Sequence, residues 1–473
     1  MNNGTGGVGR GVRVFATAAV TLALMPGIAL ADTLEWALVQ AYQNNPTINS
    51  QRAAVRATDE AVPQALSGYR PKVSATASVT EQYFDQRSKT STTDPATYGT
   101  VRGNNAVQSY GATVTQNVLN GFQTANRTRQ AESQVSGARE TLRNTEQLVL
   151  LSAATAYMNL LRDGAILDLQ RRNVEVLQEQ LRQTRDRFNV GEVTRTDVAQ
   201  SESRLAAGRS SLLSAESNYT TSRSTYRQVI GVEAGKLAAV SPVDRLSPKT
   251  LAQAITEARA VHPTVTTAQF TVDAAVLQVK INEGALYPTL NVVGSATKGF
   301  GASQSQTTLE QFVGSASAQL SIPVYQGGSE YSVIRQAKET LSQRRVDLDT
   351  AREQAQQTVV QSWGQLEAAK AQIQATQAQV VATEIALNGV REEARVGQRT
   401  TLDVLNAQQE LVNARVSLVS AQRDRVVASY TLLGAAGRLS VQVLGLAVPV
   451  YDPVTHYHQV RDSWGGVRTP DGK

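Results

Sequence analysis

Few residues in this chain are suited to covalent or acid–base chemistry. Cysteine is absent, and His262, His456 and His458 are its three histidines. With no thiol there can be no disulfide, no thiolate metal site and no acylated cysteine. The His456-Tyr457-His458 triplet has a spacing that could hold a metal weakly, but no carboxylate in its own segment supports it. His262 stands where a corresponding segment has Asn45, which points to a structural role. No G-x-S-x-G, P-loop or dinucleotide fingerprint lies between a strand and a helix. Two carboxylates remain of interest, Asp197 and Asp403. Each is placed in the first turn of a helix just after threonines, where the helix dipole favours negative charge. The expectation is therefore a protein without catalytic residues, cofactor or metal.

The elements that carry these residues occur twice. Residues 33–71 align with 250–288, pairing Thr33/Thr250, Leu34/Leu251, Pro46/Pro263 and Pro71/Pro288. Residues 119–231 align with 325–437, pairing Gly121/Gly327, Gly191/Gly397, Asp197/Asp403 and Gly231/Gly437. The offset changes inside 85–106, a Ser/Thr/Asn-rich stretch that reads as a surface loop. Duplication on this scale predicts two equivalent half-units and internal pseudo-symmetry. The expected divisions are a leader at 1–31, a first repeat at 32–231, a linker at 232–249, a second repeat at 250–437 and a tail at 438–473.

The leader has Arg10 and Arg13, an apolar run Val14–Met25 and an Ala29-Leu30-Ala31 cleavage site, the pattern of a secretory signal. Its apolar run is too short to cross the ~30 Å hydrocarbon core as a helix. The whole chain holds 46 Lys and Arg against 40 Asp and Glu, both signs interspersed, which gives no footprint for nucleic acid. Aromatic residues are sparse at 5%, a composition suited to long solvated helices.

Proline is missing between Pro95 and Pro242 and again between Pro323 and Pro449. Each proline-free block carries a seven-residue apolar repeat: Val198, Leu205, Leu212, Tyr219 and Tyr226, then Leu405, Val412, Val419, Val426 and Leu433. Sustained sevens predict coiled-coil packing. Upstream lie two further helical stretches, about 121–189 and 328–396, each reaching roughly 100 Å at 1.5 Å per residue. The turns at 189–194 and 395–400 have a glycine to end one helix and threonines to begin the next. Each half thus predicts one long antiparallel helical hairpin.

Four segments alternate at period two instead. They begin at Val73, Tyr110, Leu290 and Phe312, each about a dozen residues with one apolar and one small polar face. That suits tilted transmembrane strands, which need ~9–11 residues. Tyr83, Phe84 and Tyr110 are candidates for an interfacial aromatic girdle, while Trp36, Trp363 and Trp464 read as packing residues. Four strands cannot close an aqueous barrel, and an open edge in lipid leaves backbone groups unsatisfied at several kcal/mol each. Three copies would supply twelve strands and twelve long helices.

Two motifs and their order carry a family resemblance. They are Phe188-Asn189-Val190-Gly191-Glu192-Val193-Thr194-Arg195-Thr196-Asp197-Val198, repeated as Val396-Gly397-Gln398-Arg399-Thr400-Thr401-Leu402-Asp403-Val404-Leu405, and Ile322-Pro323-Val324-Tyr325-Gln326-Gly327-Gly328 after the last strand. Over nearly its whole length after the leader the chain resembles the TolC-like outer-membrane channel proteins. The resemblance implies an α+β membrane protein of a Gram-negative bacterium. It would be a homotrimer with a 12-stranded transmembrane β-barrel, four strands per protomer, continued by a periplasmic α-helical barrel. It implies the exit duct of a tripartite efflux pump or type I secretion system. Its partners would be a periplasmic adaptor, an inner-membrane transporter (a proton-driven pump or an ATPase) and outer-membrane lipid. By position, Asp197 and Arg399 would form an inter-hairpin link and Asp403 would line the periplasmic constriction. The family's second aspartate position is Asn406 here, and Ala394 stands where the family can carry a tyrosine. Val190, Gly191, Val396 and Gly397 would form the tip that docks the adaptor. The rival expectation is a trimeric coiled-coil adhesin anchored by a small barrel. Separation of the strand hairpins by more than 200 residues argues against it.

Overall fold

The computed structural model describes residues 32–90, 97–301, 310–470 and 472. The expected leader at 1–31 lies outside the described residues. The chain opens with α1 (Leu34–Asn44), α2 (Pro46–Asp59) and α3 (Ala61–Leu66), then strands β1 (Lys72–Lys89) and β2 (Tyr98–Asn120). A long helix α4 (Gln123–Asn189) follows and folds back as α5 (Arg195–Ile230). The same order then returns: α6 (Leu251–Val261), α7 (Pro263–Gly284), β3 (Thr289–Phe300), β4 (Glu310–Ser321), α8 (Ser329–Arg395) and α9 (Thr401–Ala435). A short helix α10 (Pro453–Val460) lies in the tail. Among the described residues no helix is long and apolar enough to cross a membrane.

The break between α1 and α2 recurs between α6 and α7, and its cause is the same. Asn45 and His262 each precede a proline, which cannot continue a helix but is preformed to start one. Asn45 Oδ1 accepts from the Thr47 amide at 2.8 Å, and His262 Nδ1 accepts from the Thr264 amide at 3.3 Å. Burial, helped by Arg143, pushes the His262 imidazole below its usual pKa. A neutral ring keeps the lone pair that the cap requires. His262 is thus a helix cap.

Helices α4 and α8 are both 67 residues long, about 100 Å each. Their partners α5 and α9 have 36 and 35 residues, so only the distal half of each long helix is paired within its hairpin. The proximal half of α4 packs on α7, and α7 packs on α8. Where α5 and α9 end, the main core forms. Leu38 and Tyr42 of α1, Leu150 and Tyr157 of α4, Tyr226 and Ile230 of α5, and Tyr430 and Leu433 of α9 are buried there with Leu439 of the tail. The Tyr157 hydroxyl lies 2.7 Å and 2.8 Å from the carbonyls of Asp32 and Ala238, tying the residue before α1 and the linker to this core.

The four strands form one antiparallel sheet in the order β1-β2-β3-β4. Its register aligns Ala77, Tyr110, Lys298 and Phe312 across all four strands. β1 and β4 are edges without a partner among the described residues. Large apolar side chains on them stay bare: Val73, Val79, Phe312 and Leu320 are exposed. β3 and β4 have the expected dozen residues. The first hairpin departs from the sequence reading, because most of the stretch 85–106 is strand. β1 has 18 residues and β2 has 23. Polar composition suggested a loop there, but cross-strand pairs hold a ladder. Asp85 faces Arg102 in register with a 2.8 Å ion pair, and the hydroxyls of Ser78 and Ser109 meet at 2.8 Å.

Each sheet-to-helix passage uses two consecutive left-handed residues. Gly327 and Gly328 (φ 70° and 82°) lead into α8. Gly121 and Phe122 (φ 59° and 60°) lead into α4, and Gly121 presses on the Gly284 backbone with no room for a Cβ. A phenylalanine in this conformation costs roughly 1–2 kcal/mol. Phe122→Gly is therefore expected to stabilise the detergent-solubilised protein by up to about 1 kcal/mol, after allowing for the extra unfolded-state entropy of glycine. Thermal or denaturant unfolding checks this; a loss of stability would show that Phe122 makes compensating contacts.

The helical tips and the groove between them

The far ends of the two helical hairpins lie side by side and are built alike. At the first, Val190 ends α4 and Gly191 turns left-handed with φ 82°. The Glu192 amide donates to the Arg187 carbonyl at 2.9 Å and the Gly191 amide to Phe188 at 3.0 Å. At the second, Gln398 donates to Glu393 at 2.9 Å and Gly397 (φ 79°) to Ala394 at 3.3 Å. This paired closure is the Schellman arrangement, and it accounts for glycine at both places. The side chains of Val190 and Val396 project into solvent at 73% exposure each.

The return helices start from reciprocal caps. Thr194 Oγ1 accepts from the Asp197 amide at 3.4 Å, while Asp197 Oδ2 accepts from the Thr194 amide at 2.9 Å and hydroxyl at 2.7 Å. Thr400 and Asp403 repeat the pattern at 3.3, 2.9 and 2.9 Å. Hydrogen bonds from Thr194 hold the Asp197 carboxyl below the usual aspartate range, and those from Thr400 do the same for Asp403. The caps therefore begin at Thr194 and Thr400. Both aspartates are first of all structural, because each satisfies amides the helix cannot.

Between the tips runs an open groove of about 880 Å³. Glu175, Glu179, Arg187, Glu192 and Asp197 line it from the first hairpin; Arg391, Arg395, Gly397, Arg399 and Val404 line it from the second. Asp197 and Arg399 thus share a groove without pairing to each other. Arg399 Nε is bonded to Glu393 at 2.8 Å, and Arg187 Nε to Glu192 at 3.0 Å. Each of these pairs stays within its own turn. One polar bond joins α5 to α9: Arg204 donates to Asn406 Oδ1 at 2.6 Å, beside buried Leu205 and Leu405. Such exposed contacts contribute about 0–1 kcal/mol apiece, so they join the two tips only weakly. Glu393 and Arg204 were not among the residues singled out from sequence. Glu393 could have been found from its place in the turn, six residues before Arg399. Arg204 is 202 positions from Asn406, and nothing local announces it.

Among the described residues no group of three or more His, Cys, Asp or Glu is placed to hold a metal ion, His456 and His458 included. His456 Nδ1 instead meets Asp59 Oδ2 at 2.9 Å, both side chains buried. Burial drives the Asp59 carboxyl above its ordinary range against the opposing pull of His456 and Arg139.

A four-stranded sheet with large exposed apolar side chains, continued by helices of about 100 Å that end in capped turns, is the architecture of a channel protein. The chain belongs to the outer membrane efflux protein family, whose signature covers residues 37–232 and 254–438. It is 42% identical over 450 residues to outer membrane efflux protein BepC of Brucella suis biovar 1, spanning 94% of each chain. It is 25% identical over 363 residues to the alkaline protease secretion protein AprF of Pseudomonas aeruginosa, spanning 76% of each. The solved Campylobacter jejuni CmeC outer membrane channel superposes with a TM-score of 0.72 at 15% identity, covering 91% of this chain and 89% of that one. Its place is the outer membrane of a Gram-negative bacterium.

The capping boxes make the tips acid-sensitive. A lowered native pKa gives stability that is present above the ordinary aspartate value of 3.8 and lost as pH falls through the native value. Hydrogen exchange of the Asp197 and Asp403 amides, corrected for intrinsic rates, is expected to show protection above pH 3.8 that fades below it. Thr400→Ala should remove about 0.5–2 kcal/mol of that protection at neutral pH. Protection indifferent to both changes would mean the boxes do not stabilise the tips.

Proposed function

We propose that this chain is one protomer of a homotrimeric exit duct, a passive gated conduit that runs through the periplasm and the outer membrane. The observation that carries this is the sheet, whose first and last strands both lack a partner among the described residues. In hydrocarbon those edge amides and carbonyls must pair, and only strands of sister subunits can supply mates without opening another edge. Three sheets of four strands close a twelve-stranded barrel, and the two tandem halves of each chain add their hairpins to the helical tunnel below. Extraction in mild detergent followed by native mass measurement should give three chains per particle; a single chain would end the reading.

The inner-membrane transporter supplies the energy, and a periplasmic adaptor docks at the tips, against Val190, Gly191, Val396 and Gly397, of which Gly397 lines the groove. The extent of similarity to an efflux protein supports efflux over protein secretion as the cargo class. In the gate, Arg204 and Asn406 hold the two hairpins of one protomer together. Asp197 and Arg399 exchange their own-turn partners across the groove or with the neighbouring protomer, and Asp403 lines the constriction. A neutral Asn406 gives that constriction one carboxylate per chain.

In planar bilayers Arg204→Ala, and separately Asp197→Ala with Arg399→Ala, should raise the single-channel conductance. An unchanged value in both removes these bonds from the latch. Cation selectivity should fall in Asp403→Ala and rise in Asn406→Asp; selectivity equal to the parent in both would take these residues out of the ion path.

A further inference from the structure

Each strand has an exposed aromatic side chain just beyond the same end of the sheet. Tyr69 precedes β1, Phe122 follows β2, Tyr287 precedes β3 and Tyr325 follows β4; all are more than half exposed. Because the strands alternate in direction, these four positions lie along one rim, where sheet becomes helix. Phe122 occupies its place in a left-handed conformation that the second half assigns to Gly328. Water gives no reason to hold a bulky side chain both strained and bare. A membrane interface does, since amphipathic rings collect at headgroup level.

A fifth aromatic reaches this rim from the far end of the chain. Helix α10 lies along α2, pinned by His456 on Asp59 and by Tyr457, whose ring lies 5.1 Å from the Arg139 guanidinium. Past α10 the Ser463 carbonyl accepts a hydrogen bond from Arg70. The Arg70 guanidinium also covers the Trp464 indole at 4.7 Å, two residues before β1 begins. Trp464 otherwise remains 74% exposed. The tail therefore spans from the buried core at Leu439 to the sheet rim, where a bare tryptophan lies beside an arginine.

We propose that residues 453–464 form a strap that seats Trp464 in the phospholipid headgroup layer of the inner leaflet. This rests on the reading of the sheet as membrane-spanning. Arg70 is placed to meet lipid phosphate, and the indole to lie in the ester region beside it, the pairing that suits an interface with one wet and one apolar side. The strap thereby ties the helical layer under α2 to the bilayer, outside the sheet itself.

Quenching by brominated lipids tests this in proteoliposomes of the full-length protein. The chain has three tryptophans, so Trp36→Phe with Trp363→Phe leaves Trp464 as the sole indole. Its emission should be lost more to lipid brominated near the glycerol end of the acyl chain than to lipid brominated near the methyl end. A second reporter, Ala316→Trp on the apolar face of β4 with all native tryptophans replaced by Phe, should show the reverse order. If that reporter is quenched and Trp464 is not, the strap does not reach lipid and Trp464 faces water or a protein partner. If neither is quenched, the membrane-spanning sheet fails as well. To guard against misfolding of the replaced chains, Trp464→Phe in the otherwise native protein should abolish the shallow-quenched fraction. Quenching unaltered by that change overturns the proposal.

Discussion

Hydrogen bonding at the two edges of the sheet is the constraint on which the rest of this protein depends. Backbone amides in hydrocarbon have no water to turn to, and leaving one unpaired costs several kcal/mol. β1 and β4 each present a row of such groups. Among the described residues no helix is long and apolar enough to cross lipid. The side chains on these strands agree with that burden. They are small and polar on one face, apolar and bare on the other, as a wall between lipid and water must be.

The helical part solves a different problem, that of holding a long thin structure straight without a globular interior. Apolar residues at sevens pair α4 with α5 and α8 with α9 in the distal half, while α7 takes over as partner in the proximal half. The main core sits where those arrangements change over, and it gathers α1, α4, α5, α9, the linker and the tail. Rigidity is thus concentrated in the middle. The tips, by contrast, have local hydrogen-bonded closures, one inter-hairpin bond from Arg204 and a shallow pair of leucines.

Much of this was legible from residues alone, where local rules dominate. Helix lengths, the Gly191 and Gly397 turns and the first-turn aspartates follow from periodicity, glycine placement and proline spacing, and correspondence with Asn45 gives His262 a structural role, though not its helix cap. The first strand hairpin was partly misread, because Ser, Thr and Asn around 85–106 suit loops by composition and strands by pairing. The pairing of Asp85 with Arg102 decides the matter, and no single-strand pattern announces it. Contacts between distant segments were equally invisible. His456 finds its carboxylate in Asp59, 397 residues away, rather than in the tail around it. Arg204 lies on an ordinary solvated face until α9 brings Asn406 beside it.

The matched length of α4 and α8, 67 residues apiece, has a consequence for how such a protein can change over time. Two rods that start at one rim and must finish flush cannot be extended singly. One extra turn in either would leave its loop overhanging and pull Arg204 out of reach of Asn406. Adaptation to a wider or narrower compartment would therefore demand simultaneous, register-preserving edits in all four long coils. That makes depth one of the slowest dimensions of this molecule to evolve.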